Sequence, residues 1–182
     1  LNTNTVFEES YDKLVLSTGS SPLKPPIPGI DNERIKSLWT VPDAIAIKTL
    51  IKQYQVKNAV IVGGGFIGIE MAENLHHLGI NVSIVEKQNQ VLNNLDYEMA
   101  QLLHQDMNSQ GIHLYLEKGV VAFSNSTERV QIQLDDGSTL MSDLVILAIG
   151  VRPNSQLADS AGIILNQRGG IIVDQYLQTN IK

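Results

Sequence analysis

Three glycines stand at a spacing that can bring backbone N–H groups up to a phosphate. Gly63, Gly65 and Gly68 follow directly on the apolar run 58–62. The first would permit a tight turn, the second would let the backbone approach a pyrophosphate, and the third would let a helix pack closely on a strand. The helix N-terminus would offer N–H groups and a partial positive charge to the phosphates. The pattern predicts a dinucleotide site, and a glycine-rich turn without a ligand is the alternative.

An acidic residue stands at the end of the next apolar run. Glu86 lies 18 residues after Gly68, where a carboxylate can accept hydrogen bonds from both adenosine ribose hydroxyls. The same carboxylate would repel the 2′-phosphate of NADP, whereas the neighbouring Lys87 would attract it. The sequence therefore predicts binding of NAD(H) in preference to NADP(H). FAD is bound by the same glycine pattern, so the motif alone does not choose between the cofactors.

These residues need alternating strands and helices to position them. Apolar runs and helical spacing predict strands at 58–62, 82–86, 112–116 and 144–149, helices at 40–54, 66–78 and 97–108, and further strands at 14–16 and 170–174. Three short alternating strands are expected near 120–123, 130–134 and 139–141. The last helix would bury Met99, Leu102, Leu103 and Met107. We predict an α/β fold: a Rossmann-like dinucleotide-binding domain with a parallel sheet plus a three-stranded antiparallel β-meander.

The composition excludes several kinds of chemistry. The net charge is −6 and no Lys/Arg-rich stretch exists, which argues against a nucleic-acid partner. The absence of cysteine excludes disulfides, thiolate nucleophiles and Cys-ligated zinc within the chain. The four histidines show no metal-ligand spacing with carboxylates, and surface positions on helices or strands are predicted for them. They are His76, His77, His104 and His113. Without a signal peptide or a long apolar run, we predict a cytoplasmic protein with no membrane partner.

Four parts of the chain carry motifs in an order that is typical of one family. Residues 11–22 are similar to the strand and "ATGS.P" segment that closes the first FAD half, and residues 63–73 are similar to the NAD motif "GGGYIGLEMAE". Residues 148–154 match the "A.G..PN" return into the FAD domain, and 170–174 with 178–180 match the strand pair before the "AxGD" flavin motif. The chain thus resembles the FAD-dependent pyridine nucleotide–disulfide oxidoreductases. The 150–154 segment and the helix end at 75–79 are most similar to the branch of coenzyme A–disulfide reductase, NADH oxidase and NADH peroxidase.

The resemblance implies a domain organisation. It assigns residues 1–39 to a partial FAD-domain segment and a proline-rich crossing, residues 40–153 to the NAD(P)-binding domain, and residues 154–182 to a partial return into the FAD domain. Leu1 and the last residues are interpreted as cuts in a longer parent, with a processed native start as the alternative. The parent would pass a hydride from NAD(P)H to FAD and on to a disulfide, sulfur, peroxide or oxygen acceptor, as a homodimer. By itself the chain is expected neither to hold FAD nor to turn over.

The resemblance also implies roles for individual residues. The nicotinamide would lie near Gly150 and the start of the helix that follows the glycines. Phe66 occupies the place of a tyrosine gate over the flavin, and a core residue at a helix start is the alternative. Glu70 would contact the nicotinamide side, and an acid favoured by the helix dipole in the first turn is the alternative. No catalytic or metal-binding residue is predicted. The predicted cofactor-binding residues are Gly63, Gly64, Gly65, Phe66, Ile67, Gly68, Glu70, Glu86, Lys87 and Gly150.

Two other functions are compatible with a dinucleotide motif. A freestanding NAD-binding module would need neither the Thr18-Gly19 flank nor the Gln178-Thr179-Asn180 flank, which have no role without FAD. A simple dehydrogenase would need its own substrate domain and a catalytic His or Ser/Tyr/Lys set, and neither presents itself. We therefore favour the nucleotide domain of a flavoprotein, with the freestanding module as the alternative.

Overall fold

A computed structural model describes residues 6, 8–126 and 128–181, which fall into two compact units. One unit comprises residues 21–151, and the other comprises the described residues up to 20 together with those from 152 onward. In chain order the elements are β1 Ser20–Pro22, β2 Ile35–Ser37, α1 Val41–Gln53, β3 Asn58–Val62, α2 Phe66–His77, β4 Asn81–Val85, α3 Tyr97–Ser109, β5 His113–Tyr115, β6 Val120–Ser126, β7 Arg129–Leu134, β8 Thr139–Ser142, β9 Leu144–Leu147, β10 Val151–Pro153 and α4 Gln156–Ser160.

A five-stranded parallel sheet is the centre of the 21–151 unit. Its strand order is β2-β9-β3-β4-β5, so that β9, the last strand of this sheet in chain order, lies between its first two, β2 and β3. One row of paired residues crosses the whole sheet: Ile35, Val145, Val60, Ser83 and His113. Parallel strands joined by helices place all their carboxyl ends at one edge. The predicted Rossmann-like sheet is confirmed.

The sheet is covered on both faces, which explains its unbroken apolar runs. Ile61 and Ile84 are fully buried among side chains of α1, α2 and α3. Val60 and Val145 point to the other face and pack against β6, β7 and β8. These last three strands form an antiparallel sheet of their own, which confirms the predicted meander.

Asp143 joins the strand starts at the edge of the sheet opposite to the carboxyl ends. Its Oδ2 accepts hydrogen bonds from the N–H groups of Lys57 and Asn58 at 3.0 and 2.9 Å, and Arg129 Nε lies 3.0 Å from its Oδ1. Burial alone would raise the pKa of Asp143, but the two N–H donors and the Arg129 charge outweigh burial and hold the pKa below its ordinary value. The ionised carboxylate therefore ties β3 and β9 to the meander.

The helices begin and end close to their predicted bounds. Asp43 Oδ2 accepts hydrogen bonds from the N–H and Oγ1 of Thr40, which fixes the start of α1. α2 ends before Gly79, whose φ of +77° suits a glycine. The predicted buried face of α3 is wrong in part, because Met99 and Leu102 are 56% and 60% exposed. The residues of α3 that are buried are Ala100, His104 and Met107.

Two predictions for the flanking segments are wrong. Residues 14–16 form no strand, and Val15 is 86% exposed. Residues 170–174 make a single bridge between Ile171 and Leu165 in place of a strand. Both runs are short, and a short apolar run becomes a strand only where a partner strand accepts its hydrogen bonds. Residues 151–153 form strand β10, which pairs with β1.

Residues 21–39 contribute to the parallel sheet. The family resemblance predicts a domain boundary at residue 40. β2 precedes that residue, but it pairs with β9 in the register Ile35–Val145. The domain bounds 1–39, 40–153 and 154–182 stay a prediction. In the flanking unit, Thr18 Oγ1 donates to the Asn154 carbonyl and Asn154 Nδ2 donates to the Thr18 carbonyl. None of the described helices is both long and apolar enough to span a membrane.

Candidate functional site

A cleft of about 870 Å³ opens at the carboxyl ends of the parallel strands. It lies wholly within the 21–151 unit, and its lining includes residues that come shortly after four strands. Trp39 follows β2, Gly63 follows β3, Glu86 follows β4, and the 148–150 segment follows β9. In open α/β sheets, this edge is where ligands bind. The fold therefore gathers residues from distant parts of the sequence into one candidate site.

Two of the three glycines of the motif, Gly63 in the loop after β3 and Gly68 in α2, are required by the protein itself. Gly63 has a φ of +108°, and a Cβ there would come within 2.4 Å of the Ala148 carbonyl oxygen. A Cβ on Gly68 would lie 2.0 Å from the Gly63 carbonyl oxygen. The loop thus runs close to β9 and under α2, as the motif predicts. Neither glycine needs a ligand to explain it.

Gly65 differs from Gly63 and Gly68. Its φ of −79° is accessible to every residue type, and a Cβ built on it would meet no protein atom within 4 Å. It lines the cleft directly before α2, whose first turn carries no acidic side chain. The first four N–H groups of a helix lack intrahelical partners and favour an anion. The space in front of Gly65 therefore fits a phosphate group.

Glu86 is held in place by backbone donors. Its Oε2 accepts the Gly64 N–H at 2.6 Å and its Oε1 accepts the Gln88 N–H at 2.9 Å. Each carboxylate oxygen can accept more than one hydrogen bond, so both retain capacity for a hydroxyl donor. The carboxylate is thus oriented at the mouth of the cleft before any ligand arrives.

The segment after β4 packs onto the glycine loop. The Leu92 N–H donates to the Gly64 carbonyl at 2.9 Å, and a Cβ on Gly64 would lie 2.8 Å from Val91 Cγ1. His104 Nε2 accepts the Val91 N–H at 3.2 Å. His104 is buried, so its predicted surface position is wrong, and burial lowers the pKa of its imidazole. A neutral imidazole is what this hydrogen bond requires, because the accepting nitrogen must be unprotonated.

The structure brings most of the predicted site residues to the cleft. Those that line it are Gly63, Gly65, Phe66, Ile67, Glu86, Lys87 and Gly150. Gly64 and Gly68 lie behind the surface and shape the loop. Glu70 lines a separate, smaller groove with Trp39 and Ile67. The roles of all ten in binding stay predictions.

Two alternatives for α2 are excluded by the structure. Phe66 is 63% exposed in this chain, so it is not a core residue at the helix start. Glu70 is the fifth residue of α2 and lies beyond the first turn, which holds no acid. The gate role of Phe66 and the nicotinamide contact of Glu70 stay predictions.

Other residues that line the cleft were not assigned to it from the sequence. Among them are Trp39, Asn93, Lys118 and Asp135. The signal for Trp39 and Lys118 is their position shortly after β2 and β5, since parallel strands end at the same edge. Asp135 lies in the turn between β7 and β8, and no pattern in the sequence shows where the meander packs. Among the described residues, no group of three or more His, Asp or Glu side chains could hold a metal ion.

The parallel sheet and its glycine loop define a dinucleotide-binding protein of the Rossmann type. The family model described as pyridine nucleotide-disulphide oxidoreductase matches residues 1–182, and the chain belongs to that family. The family predicted from the motifs is therefore confirmed. Over 172 residues the chain is 40% identical to the assimilatory nitrate reductase electron transfer subunit of Bacillus subtilis, covering 94% of this chain and 22% of that protein.

Two solved structures support the predicted branch of the family. The reduced CoADR-RHD of Bacillus anthracis is 44% identical, with a TM-score of 0.90 over 97% of this chain and 32% of that one. The water-forming NADH oxidase of Lactobacillus brevis, bound to NADH, is 34% identical, with a TM-score of 0.85 over 94% of this chain and 37% of that one. The chain spans between 18% and 40% of the length of the curated relatives it matches.

Proposed function

We propose that this chain binds NADH in the cleft at the carboxyl ends of the parallel strands, as the nucleotide-binding part of a longer flavoprotein oxidoreductase. That protein would pass a hydride to FAD and on to a disulfide, sulfur, peroxide or oxygen acceptor. The family membership and the NADH-bound neighbour support this proposal. The chain spans less than half the length of these relatives. This supports the proposal that other segments of the longer protein bind FAD and contact a partner subunit.

The open space in front of Gly65 is the observation that carries the proposal. The fold gives no reason for a glycine there, because neither the backbone angle nor a close neighbour excludes a side chain. A ligand that needs the space supplies the reason. The pyrophosphate would lie against the N-terminus of α2, and Glu86 would accept hydrogen bonds from the adenosine ribose.

The chain's own residues would bind and orient the dinucleotide. Phe66 and Gly150 line the cleft, and in the predicted assignment the nicotinamide would lie beside them. NADH, when bound, supplies the hydride, and no side chain of this cleft needs to transfer a proton. The protein's contribution is position: backbone donors for the phosphates, a fixed carboxylate for the ribose and an aromatic ring beside the reactive end.

A single substitution tests the proposal. Gly65→Val should place a side chain in the path of the pyrophosphate and weaken NADH binding by at least about tenfold, or about 1.4 kcal/mol. Binding is measured by titration calorimetry of the purified protein, with circular dichroism to confirm the fold. Ala46→Val, on the exposed side of α1, adds a similar branched side chain outside the cleft and should leave the affinity unchanged. Equal affinities of wild type and Gly65→Val would contradict the proposed site.

A further inference from the structure

An ion pair lies beside Glu86, at the end of the cleft proposed for adenosine. The Lys118 N–H donates to the Glu86 carbonyl at 3.0 Å, which fixes the two residues as neighbours. Lys118 lines the cleft together with Glu86 and Lys87. Its Nζ lies 2.7 Å from Asp136 Oδ2, in the turn between β7 and β8. The Lys118 ammonium group, which borders the ribose end of the cleft, is therefore already paired with a carboxylate from the meander.

Asp136 is itself fixed within its turn. Its Oδ1 accepts hydrogen bonds from the N–H and Oγ of Ser138 at 2.9 and 2.6 Å. The hydrogen bond with Lys118 and the two from Ser138 hold the pKa of Asp136 well below its ordinary value, and the same hydrogen bond raises the pKa of Lys118. Both groups are therefore charged at neutral pH. Lys118 must leave a preorganised partner before it can contact any other anion.

The local charge balance disfavours a second phosphate at this end. Two lysines and three carboxylates lie together at this end. Lys87, Lys118, Glu86 and Asp135 line the cleft, and Asp136 is paired with Lys118. NADPH differs from NADH in its 2′-phosphate, which carries nearly two negative charges at pH 7. Lysine is a common phosphate ligand, and Lys118 would serve as one if it were released.

We propose that Asp136 is a specificity-determining residue that disfavours NADPH by holding Lys118 Nζ away from the adenosine ribose. This inference rests on the proposed binding of NADH in the same cleft. Asp136 would be a second residue, beside Glu86, that selects between the two cofactors. It belongs to the antiparallel meander and acts by neutralising the charge of Lys118. Glu86 repels the additional phosphate, and Asp136 occupies the lysine that would otherwise attract it.

The test compares NADH and NADPH affinities by calorimetry in the purified protein. Asp136→Asn should strengthen NADPH binding by about tenfold and change NADH binding by less than about twofold. Asp135→Asn is the matched control, because it removes one negative charge from the same turn without releasing Lys118. It should shift the ratio of the two affinities far less than Asp136→Asn does.

Two lysine variants complete the design. Adding Lys118→Gln to Asp136→Asn should abolish the gain in NADPH affinity. Lys118→Gln alone should lower NADPH affinity by no more than about twofold, because Lys118 is already paired with Asp136 in wild type and the charge left on Asp136 is screened at the surface. This variant also keeps Asp136 and its hydrogen bonds with Ser138 if Asp136→Asn does not fold. The inference is overturned if Asp136→Asn leaves the ratio unchanged, if Asp135→Asn shifts it equally, or if Lys118→Gln alone weakens NADPH binding several-fold. Failure of wild type to bind NADH would instead contradict the proposed function itself, and the inference with it.

Discussion

Glu86 has two tasks at the scale of a single residue. Its carboxylate accepts the N–H groups of Gly64 and Gln88, and it faces the cleft. The first task is structural, because Gly64 is buried and its N–H needs an acceptor. A substitution that removes the carboxylate entirely would therefore damage the loop as well as the proposed ribose contact. A useful variant must keep an acceptor and remove the charge.

Glu86→Gln meets that requirement and gives a prediction on cofactor preference. Wild type is expected to prefer NADH to NADPH by about tenfold, about 1.4 kcal/mol. In Glu86→Gln the preference should shrink, because the charge repulsion with the 2′-phosphate is lost while Lys87 remains. The two affinities are measured by calorimetry. Glu86→Ala should show a similar loss of preference but also a lower stability, by about 1–3 kcal/mol for the unsatisfied Gly64 N–H. An unchanged ratio in both variants would remove Glu86 as a selector.

The sequence predicts single residues well where a local pattern determines their position. Gly63, Gly65, Gly68 and Glu86 belong to one strand–helix–strand unit, so their spacing alone places them at one edge of the sheet. Lys118 reaches the same edge from a more distant strand, and it bonds to an acid of the meander. That contact depends on how the meander packs on the sheet, which no spacing in the sequence specifies.

At the scale of elements, α3 supports the glycine loop through the segment that precedes it. His104 on α3 accepts the N–H of Val91, and Val91 packs against Gly64. Helical periodicity predicts an apolar face for α3, but the hydrogen-bonding need of Val91 places a histidine on the buried side. Met99 and Leu102 are exposed instead. A backbone donor in an irregular segment therefore accounts for the histidine on the buried side of α3, and periodicity cannot detect such a donor.

This arrangement predicts that acid destabilises the protein through His104. Burial lowers the pKa of folded His104, so the unfolded chain takes up a proton more readily. The contribution of His104 is therefore complete above the ordinary pKa of about 6.5 and is lost as the pH falls from there toward the folded pKa. The loss has a limiting slope of about 1.4 kcal/mol per pH unit.

Urea denaturation at several pH values from 7.5 to 5 measures this effect. His104→Gln keeps an acceptor for the Val91 N–H and cannot titrate, so its stability should fall less than that of wild type over this range. His113→Gln, at an exposed position, is the matched control and should follow wild type. Parallel pH profiles for wild type and His104→Gln would show that the buried imidazole does not carry the dependence.

The elements themselves were predictable where they are long or fully buried. Four of the five parallel strands and the three long helices lie within a few residues of their predicted bounds. The apolar runs at 14–16 and 170–174 have the composition of strands but not the pairing. Strand formation depends on a partner, and composition cannot supply that information.

At the scale of the whole molecule, ligand binding should reveal which residues fold together. A ligand that binds only the folded state stabilises it by about 2.7 kcal/mol at a concentration of 100 times its Kd. Every amide that exchanges through opening of the same cooperative unit should gain the same protection, about 100-fold. The unit of residues 21–151 contains the whole cleft, so NADH should act on that unit.

Hydrogen exchange with and without NADH tests this grouping and the predicted domain boundary at residue 40 together. β2 precedes that boundary but pairs with β9, so its amides should slow by the same factor as those of β3 and β9. The amides of α4, in the flanking unit, should slow much less. Gly65→Val, at the same NADH concentration, should show little protection anywhere. If β3 and β9 slow while β2 does not, then β2 opens independently of the nucleotide-binding domain and the boundary at residue 40 stands. Uniform protection of β2, β3 and β9 places the start of the domain before residue 35, because amides that gain the same protection exchange through opening of one cooperative unit.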